Sequence, residues 1–193
     1  MTRHDFTLLL PGRWARLELE DDHRLRSGIR EYLLAAGGRR DDQTLLRAEL
    51  RGRLLRAARR ARDAGGTHQF LGVELSPGLP FPAVLTVSWP LVRALEPDPE
   101  PVHLRQLVAA ADPDAVAFPI GRSPAVRTCR RSRRPALEED GAPEVEGLTI
   151  DYWVGVPGTA RVALFSASVA LVTEEASLVD LFTVIMTSLR WEV

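Results

Sequence analysis

The clearest hydrophobic pattern of the chain lies in its last quarter, where apolar and polar residues first alternate and then recur at helical spacing. Between Leu148 and Val156 every second residue is apolar, which predicts a strand with one buried side. Pro157-Gly158 is typical of a type II turn, and we expect a loop of about four residues before a second strand over 162–169. The segment after it predicts an amphipathic helix whose apolar stripe faces the sheet: Leu178, Leu181, Phe182, Ile185 and Leu189.

The strand that begins at Leu148 has two sides of different character. If Ile150 and Tyr152 face the C-terminal helix, Asp151 and Trp153 must point to the opposite side of the sheet. That side is either covered by another helix or exposed as a binding groove, and we expect the two early helices of the chain to cover it. If that side is exposed instead, Trp153 is a candidate partner-binding residue.

Three helices have predicted N-caps. Thr173 precedes Glu174 and Glu175 in the C-terminal helix, and the charges of these two acids suit its N-terminal dipole. Asp21 or Asp22 caps the first helix, which ends at Gly37-Gly38, and Asp41 or Asp42 caps the second, which ends at Gly65-Gly66. Their predicted apolar faces are Leu25, Ile29, Tyr32, Leu33 and Ala36 in the first helix, and Leu46, Leu50, Leu54, Ala57, Ala58 and Ala61 in the second.

Further strands are predicted wherever apolar residues alternate. The N-terminus reads as a strand pair, or a strand with an extended continuation, around Pro11-Gly12. Two strands on either side of a proline-containing loop, whose prolines forbid ladder pairing, form a hairpin, and two more follow a short helix that begins at Pro101. These strands cover residues 70–75, 83–89, 115–120 and 125–131.

A basic run followed by an acidic run between Arg130 and Glu146 shows no apolar periodicity, so we expect an exposed loop there, with the acids able to pair locally with the arginines. Hairpin links and the absence of a βαβαβ order together predict an α+β fold, a mainly antiparallel sheet with flanking helices. At 193 residues we expect a single domain over residues 1–193.

Composition excludes several kinds of chemistry. All 25 basic residues are Arg, and neither Lys nor Asn occurs, which favours a GC-rich, actinobacterial source. Without Lys the chain cannot form a Schiff base, a Walker-type phosphate loop or a Ser-x-x-Lys nucleophile. The single cysteine, Cys129, excludes an intramolecular disulfide and a cysteine-based metal site. The four histidines lack metal-binding spacing, and the sequence predicts no catalytic residue, no cofactor and no metal, hence no enzyme.

Charge and hydropathy bear on partners and location. A net charge of −1 argues against general attraction to nucleic acid or to an anionic membrane. No apolar run approaches the roughly 20 residues of a membrane helix, and Asp5 interrupts the apolar N-terminus. We therefore expect a cytoplasmic protein.

The second helix has the most unusual composition in the chain, because seven arginines accompany a single acid, Glu49. Like charges one turn apart destabilise a helix by a few tenths of a kcal/mol per pair. The arginines either form a solvated face, pair with acids of this chain or of a partner protein, or bind nucleic acid or phosphate. The candidate partner-binding residues here are Arg47, Arg51, Arg56, Arg59 and Arg60.

The order of the elements resembles a known family. The Pro-Gly-Arg-Trp turn at residues 11–14, the closing hairpin from Tyr152 to Phe165 and a helix ending Leu189-Arg190-Trp191 are similar to the Mog1/PsbP-like α+β sandwich family, which includes DcrB-like proteins. The resemblance implies an antiparallel sheet flanked by helices. Some members resemble chaperones for secretion-system effectors, so it also implies an adaptor or chaperone-like role. The Arg-rich helix has no counterpart in the pattern, and no functional residue carries over.

Together these observations predict a non-catalytic cytoplasmic protein-interaction domain, with an association with a secretion system as the resemblance implies. A protein partner would dock on a sheet face or on the Arg-rich helix. The alternative is a protein that binds nucleic acid or phosphate through the Arg-rich helix.

Overall fold

The structure is a computed structural model that describes residues 5–37, 44–91, 101–110, 112–135, 144–170 and 174–192. The chain divides into two compact units: an inserted unit, Pro11–Ser88, and a main unit formed by Met1–Leu10 with Trp89–Val193. Within each unit the strands pair antiparallel and helices pack beside them, so the predicted α+β class is confirmed. The expectation of a single domain stays a prediction.

The elements follow one another as ten strands and four helices in the described part of the chain. They are β1 (Phe6–Thr7), β2 (Arg13–Glu18), α1 (Asp22–Gly37), α2 (Thr44–Asp63), β3 (Gly66–Ser76), β4 (Leu79–Pro80), β5 (Ala83–Ser88), α3 (Pro101–Ala109), β6 (Val116–Ile120), β7 (Ser123–Pro135), β8 (Glu144–Gly155), β9 (Val162–Ala170), α4 (Glu175–Thr187) and β10 (Arg190–Trp191).

In the inserted unit, β3 pairs with β2, with β5 and with the short β4. The predicted cap of α1 is confirmed, because Asp21 Oδ1 accepts the backbone N–H groups of His23 and Arg24 at 2.8 and 3.0 Å. Helices α1 and α2 share one apolar core with the strands, and its buried members are Leu17, Leu19, Leu25, Ile29, Ala58 and Leu71. These two helices thus gain their stability from tertiary packing.

Three predictions for the inserted unit need correction. Ala36, predicted on the apolar face of α1, is exposed, because it lies in the last turn of the helix. Leu50 and Ala57 of α2 are exposed, because the buried face runs through residues 54, 55, 58 and 61, and positions 50 and 57 fall at its border. Pro80 pairs with Glu74, although prolines were expected to prevent pairing there. A two-residue edge strand tolerates the missing N–H. The predicted caps Asp41 and Asp42 lie outside the described residues, as does the side chain of Leu46.

The sheet of the main unit has the strand order β9-β8-β7-β6, and α4 packs against one of its sides. Phe182, Ile185 and Met186 are buried on this helix, and the hydroxyl groups of Tyr152 and Thr183 lie 3.2 Å apart between sheet and helix. The predicted helix is confirmed. It begins at Glu175, with Glu174 in the cap position and no side-chain cap bond, and Thr173 lies outside the described residues.

The segment predicted as a loop between Arg130 and Glu146 is strand at both ends. Strand β7 continues to Pro135 and pairs with β8 from Glu144 onward. Two arginines of β7 form ion pairs: Arg133 binds Glu146 of β8 at 3.1 Å, and Arg131 binds Glu175 of α4. One of these charge pairs crosses two strands and the other joins β7 to α4, and neither leaves an apolar periodicity in the sequence. Residues 136–143 lie outside the described part.

The N-terminal strand has a different partner from the one predicted. β1 pairs with β10, whereas β2 pairs with β3. The Phe6 ring lies edge-on to Phe165 at 5.2 Å and to Trp191 at 6.4 Å, and Trp191 Nε1 donates to Ser123 Oγ at 2.9 Å. Aromatic contacts with residues distant in sequence therefore outweigh the short-range pairing.

The β6–β7 hairpin turns at residues 121–122 and places two prolines opposite each other, Pro119 and Pro124. Ile120 and Ser123 close the hairpin as a hydrogen-bonded pair, so the next pair, Pro119 and Pro124, is of the non-hydrogen-bonded type. The N–H groups of such a pair point away from the partner strand, and their absence in the two prolines therefore does not disrupt the pairing of β6 with β7. β6 stands at the end of the strand order.

Candidate functional site: the Trp153 groove

Helix α3 covers the side of the main-unit sheet that faces away from α4. Its buried Leu104 and Val108 form a cluster with Ala115, Val126 and Val162, and Trp153 packs against this cluster, half-buried. The prediction that the two early helices cover Trp153 is therefore wrong. The buried residues of α1 and α2 pack within the inserted unit instead.

The coverage by α3 is incomplete and leaves a groove beside Trp153. Its cavity measures about 380 Å³. Leu107 of α3 is 42% exposed and Leu91 is 92% exposed at this groove. We name it the Trp153 groove, and its lining consists of the apolar residues Pro90, Leu91, Leu104, Leu107, Val108 and Trp153 together with the polar residues Asp112, Thr128, Arg130 and Asp151.

The polar floor of the Trp153 groove is built around Asp151, whose side chain is only 7% exposed. Its Oδ2 accepts a hydrogen bond from Arg130 Nη2 at 2.6 Å, and its Oδ1 accepts one from Ser166 Oγ at 2.5 Å. The buried Thr128 lies opposite Asp151 on β7. A buried carboxylate needs such partners, and these contacts fix the Asp151 side chain in the floor of the groove.

A second acid of the groove has a different environment. Asp112 lies in the turn after α3, and its Oδ1 accepts the backbone N–H of Asp114 at 3.1 Å. No basic side chain pairs with Asp112 in the part of the chain that the structure describes. The Trp153 groove therefore combines apolar walls with two carboxylates: Asp151, which pairs with Arg130, and Asp112, which has no basic partner among the described residues.

Three observations near the groove bear on nucleophilic catalysis and metal binding: the pKa of Cys129, the pKa of Tyr152 and the distribution of metal-ligating side chains. Burial raises the pKa of the half-buried Cys129 thiol, which disfavours the reactive thiolate. Burial also raises the pKa of Tyr152 to about 12, and this residue faces α4. Within the described ranges, no group of three or more His, Cys, Asp or Glu residues could hold a metal ion.

The Arg-rich helix, α2, is partly neutralised inside its own unit. Asp22 of α1 binds Arg59 at 3.0 Å and Arg62 at 2.7 Å, and these hydrogen bonds, first that of Arg62 and then that of Arg59, hold the pKa of Asp22 below its ordinary value. Arg59 thus pairs with an acid of the same chain, which is one of the alternatives that the composition of α2 left open. Arg53 likewise binds Glu49 at 2.5 Å.

The other candidates on α2 differ in exposure. Arg47 is half-buried, whereas Arg51, Arg56 and Arg60 are exposed. Arg51 and Arg56 have no acidic partner among the residues that the structure places. The helix and the Trp153 groove belong to different units, so each is a separate candidate.

Alternation along the strand correctly placed Trp153 and Asp151 on the same side of the sheet, but it did not indicate the other residues of the groove. Leu107 has the same helical spacing as Leu104 and Val108 in the sequence, and only its exposure in the structure sets it apart from these two buried residues. Arg130 and Ser166 were missed because their role depends on strand register, which sets Ser166 opposite Asp151. The mixed polarity of Asp151 and Trp153 on one side of a strand was the available signal.

No protein-family model, curated protein or solved structure matches this chain. The resemblance to the Mog1/PsbP-like family accordingly stays a prediction. Among the described helices, none has both the length and the apolar character that a membrane crossing requires.

Proposed function

We propose that this chain is a non-catalytic cytoplasmic protein-interaction domain, with an adaptor or chaperone-like role, that binds a partner protein at the Trp153 groove. The observation that carries the proposal is the cavity of about 380 Å³ with Leu91 and Leu107 exposed at its rim and Trp153 in its wall. Exposed apolar side chains that surround a concave site are typical of binding surfaces, and tryptophan is enriched among the residues that dominate binding energy.

The size of the cavity favours part of a protein over a large cofactor. Ligand sites span roughly 300 to 1,000 Å³. At about 380 Å³ the Trp153 groove lies near the lower limit and suits one or two side chains of a partner segment. The rim would supply the remaining contact area. An association with a secretion system is supported only by the resemblance of the element order.

The test replaces a rim leucine by aspartate in the full-length chain. A partner is first recovered from lysate of the source organism at high salt, identified and purified, and its Kd is measured by calorimetry. We expect Leu107→Asp to weaken binding about 30-fold, the effect of losing a residue worth about 2 kcal/mol. Leu79→Asp is the matched control, because Leu79 is 53% exposed in the inserted unit. Its Kd should stay within about twofold of the parent chain.

Equal binding by Leu107→Asp and the parent chain would refute the groove as the binding site. A variant at Leu91, which is almost fully exposed, separates binding from folding. Leu91→Asp should retain the circular dichroism spectrum of the parent chain and still bind more weakly.

The alternative function is binding of nucleic acid or phosphate by α2, and the exposure of Arg51 and Arg56 favours it. The pairing of Arg59 and Arg62 with Asp22 reduces the free positive charge of this helix. If this alternative is correct, the chain should bind an oligonucleotide with an affinity that falls steeply as the salt concentration rises. The binding should be lost in the double variant Arg51→Glu, Arg56→Glu. Fluorescence polarisation with a labelled oligonucleotide measures both effects, and a chain with Arg26→Glu and Arg122→Glu, two other exposed arginines, controls for net charge.

A further inference from the structure

We infer that the Trp153 groove selects a partner segment that carries a large apolar side chain next to an arginine or lysine, with the basic group on Asp112. This inference rests on the proposed function and gives the chemistry of the segment that binds. Two features of the groove support it: apolar walls that need an apolar occupant, and a carboxylate that has no basic partner among the described residues.

The apolar part of the occupant follows from the walls. Leu104 and Val108 on α3 line the groove together with Trp153 on β8, which packs against them. Leu107 and Leu91 extend this apolar surface to solvent. A large aliphatic or aromatic side chain would remove these groups from water together. A polar side chain in the same place would lose its hydration without gaining partners from the walls.

The basic part follows from the balance of charge. The negative charge of Asp151 is matched by Arg130 at 2.6 Å, so this pair adds little net charge to the groove. Asp112 is only half-exposed, and beside it Asp114 is an exposed acid in the same turn. A cation of the partner would find two acids at this point, whereas an acidic residue would be repelled. A charge-assisted hydrogen bond at a partly buried carboxylate also fixes the register of the bound segment.

The test uses a phage-displayed library of random peptides of about 12 residues, selected on the immobilised full-length chain and followed by fluorescence polarisation of the synthesised peptides. We expect the selected peptides to share a large apolar residue with arginine or lysine beside it. Replacing that basic residue by glutamine should lower affinity about tenfold on the parent chain. On the Asp112→Asn chain the same replacement should have a much smaller effect, because only the exposed Asp114 remains there.

Asp112→Asn is suited to this purpose, because the asparagine side chain keeps an oxygen that can accept the backbone N–H of Asp114. Asp114→Asn is the matched control, since Asp114 lies in the same turn but does not line the groove. We expect this control to reduce affinity less than Asp112→Asn does.

Each outcome decides between the two proposals. Peptides that lose affinity on Leu107→Asp but show no preference for a basic residue would overturn the inference and support the groove as a binding site. Peptides that bind Leu107→Asp as well as the parent chain would overturn both. A selection that yields no binding peptide would also count against both.

Discussion

The ion pair in the floor of the Trp153 groove predicts an unequal response of its two members to substitution. The Arg130 side chain is 66% exposed and the Asp151 side chain 7% exposed. Removing Arg130 leaves a buried carboxylate that keeps its desolvation cost and loses a hydrogen bond to a charged group, worth about 1.5–3 kcal/mol. We therefore expect Arg130→Ala to lower the free energy of unfolding by about 2 kcal/mol.

Asp151→Asn should cost less, because the exposed Arg130 regains water and the buried charge disappears. The loss comes from Ser166, whose hydrogen bond to a carboxylate becomes one to a neutral oxygen, a difference of about 1 kcal/mol. In the double variant no unpaired charge remains, so its cost should equal that of Asp151→Asn alone, about 1 kcal/mol. The implied coupling between the two residues is then about 2 kcal/mol.

Urea denaturation followed by circular dichroism and by tryptophan fluorescence measures these differences in a double-mutant cycle. The exposed pair Arg133 and Glu146 is the matched control on the same two strands, and its single variants Arg133→Ala and Glu146→Gln should each cost less than about 1 kcal/mol. The reasoning would be refuted if Asp151→Asn cost more than Arg130→Ala, or if the two effects simply added.

Three further predictions concern the packing, the ion pairs and the turns. Phe182→Ala removes a fully buried ring of α4 and should cost about 3–5 kcal/mol in denaturant unfolding, whereas the exposed Val184→Ala should change stability by less than about 0.5 kcal/mol. The pKa of Asp22 is lowered in the folded chain from its ordinary value of 3.8, so the contribution of Asp22 to the free energy of unfolding is complete above that pH and is lost as pH falls through the folded pKa. Thermal melts at decreasing pH should show this loss as a falling midpoint. The fall should be smaller in the Asp22→Asn chain. Gly12→Ala should destabilise far more than Gly158→Ala, since both have positive φ but a Cβ at Gly12 would lie 2.1 Å from the Glu74 carbonyl oxygen, while Gly158 has open space; equal midpoints in thermal melts would contradict this.

The elements that could be predicted from sequence are those whose pattern is apolar. The strand containing Ile150 and Tyr152, the hairpin to β9 and the terminal helix all show clear periodicity, and the structure contains them. The loop prediction is supported as well, because Val156 N–H donates to the Arg161 carbonyl at 3.0 Å and encloses Pro157 to Ala160. Burial decides these elements, and burial is what hydrophobic patterns record.

What could not be predicted depends on contacts between residues distant in sequence. The second half of β7 contains Arg130-Arg131-Ser132-Arg133-Arg134 and no apolar alternation, and its strand character comes from acids on β8 and α4. The choice of β10 as the partner of β1 depends on the Phe6, Phe165 and Trp191 rings. For the candidate site, alternation placed Asp151 and Trp153 on one side of a strand, but only the fold shows that α3 leaves that side partly open.

Pro119 has a consequence for how other chains can approach this protein. At the end of the strand order, the outward-facing backbone of β6 would normally offer alternating donors and acceptors to a strand of another molecule. Proline provides no donor at that position, so an added strand would leave one of its acceptors unsatisfied. The missing donor therefore disfavours the addition of further strands at this edge, and with it the growth of the sheet from one molecule into the next.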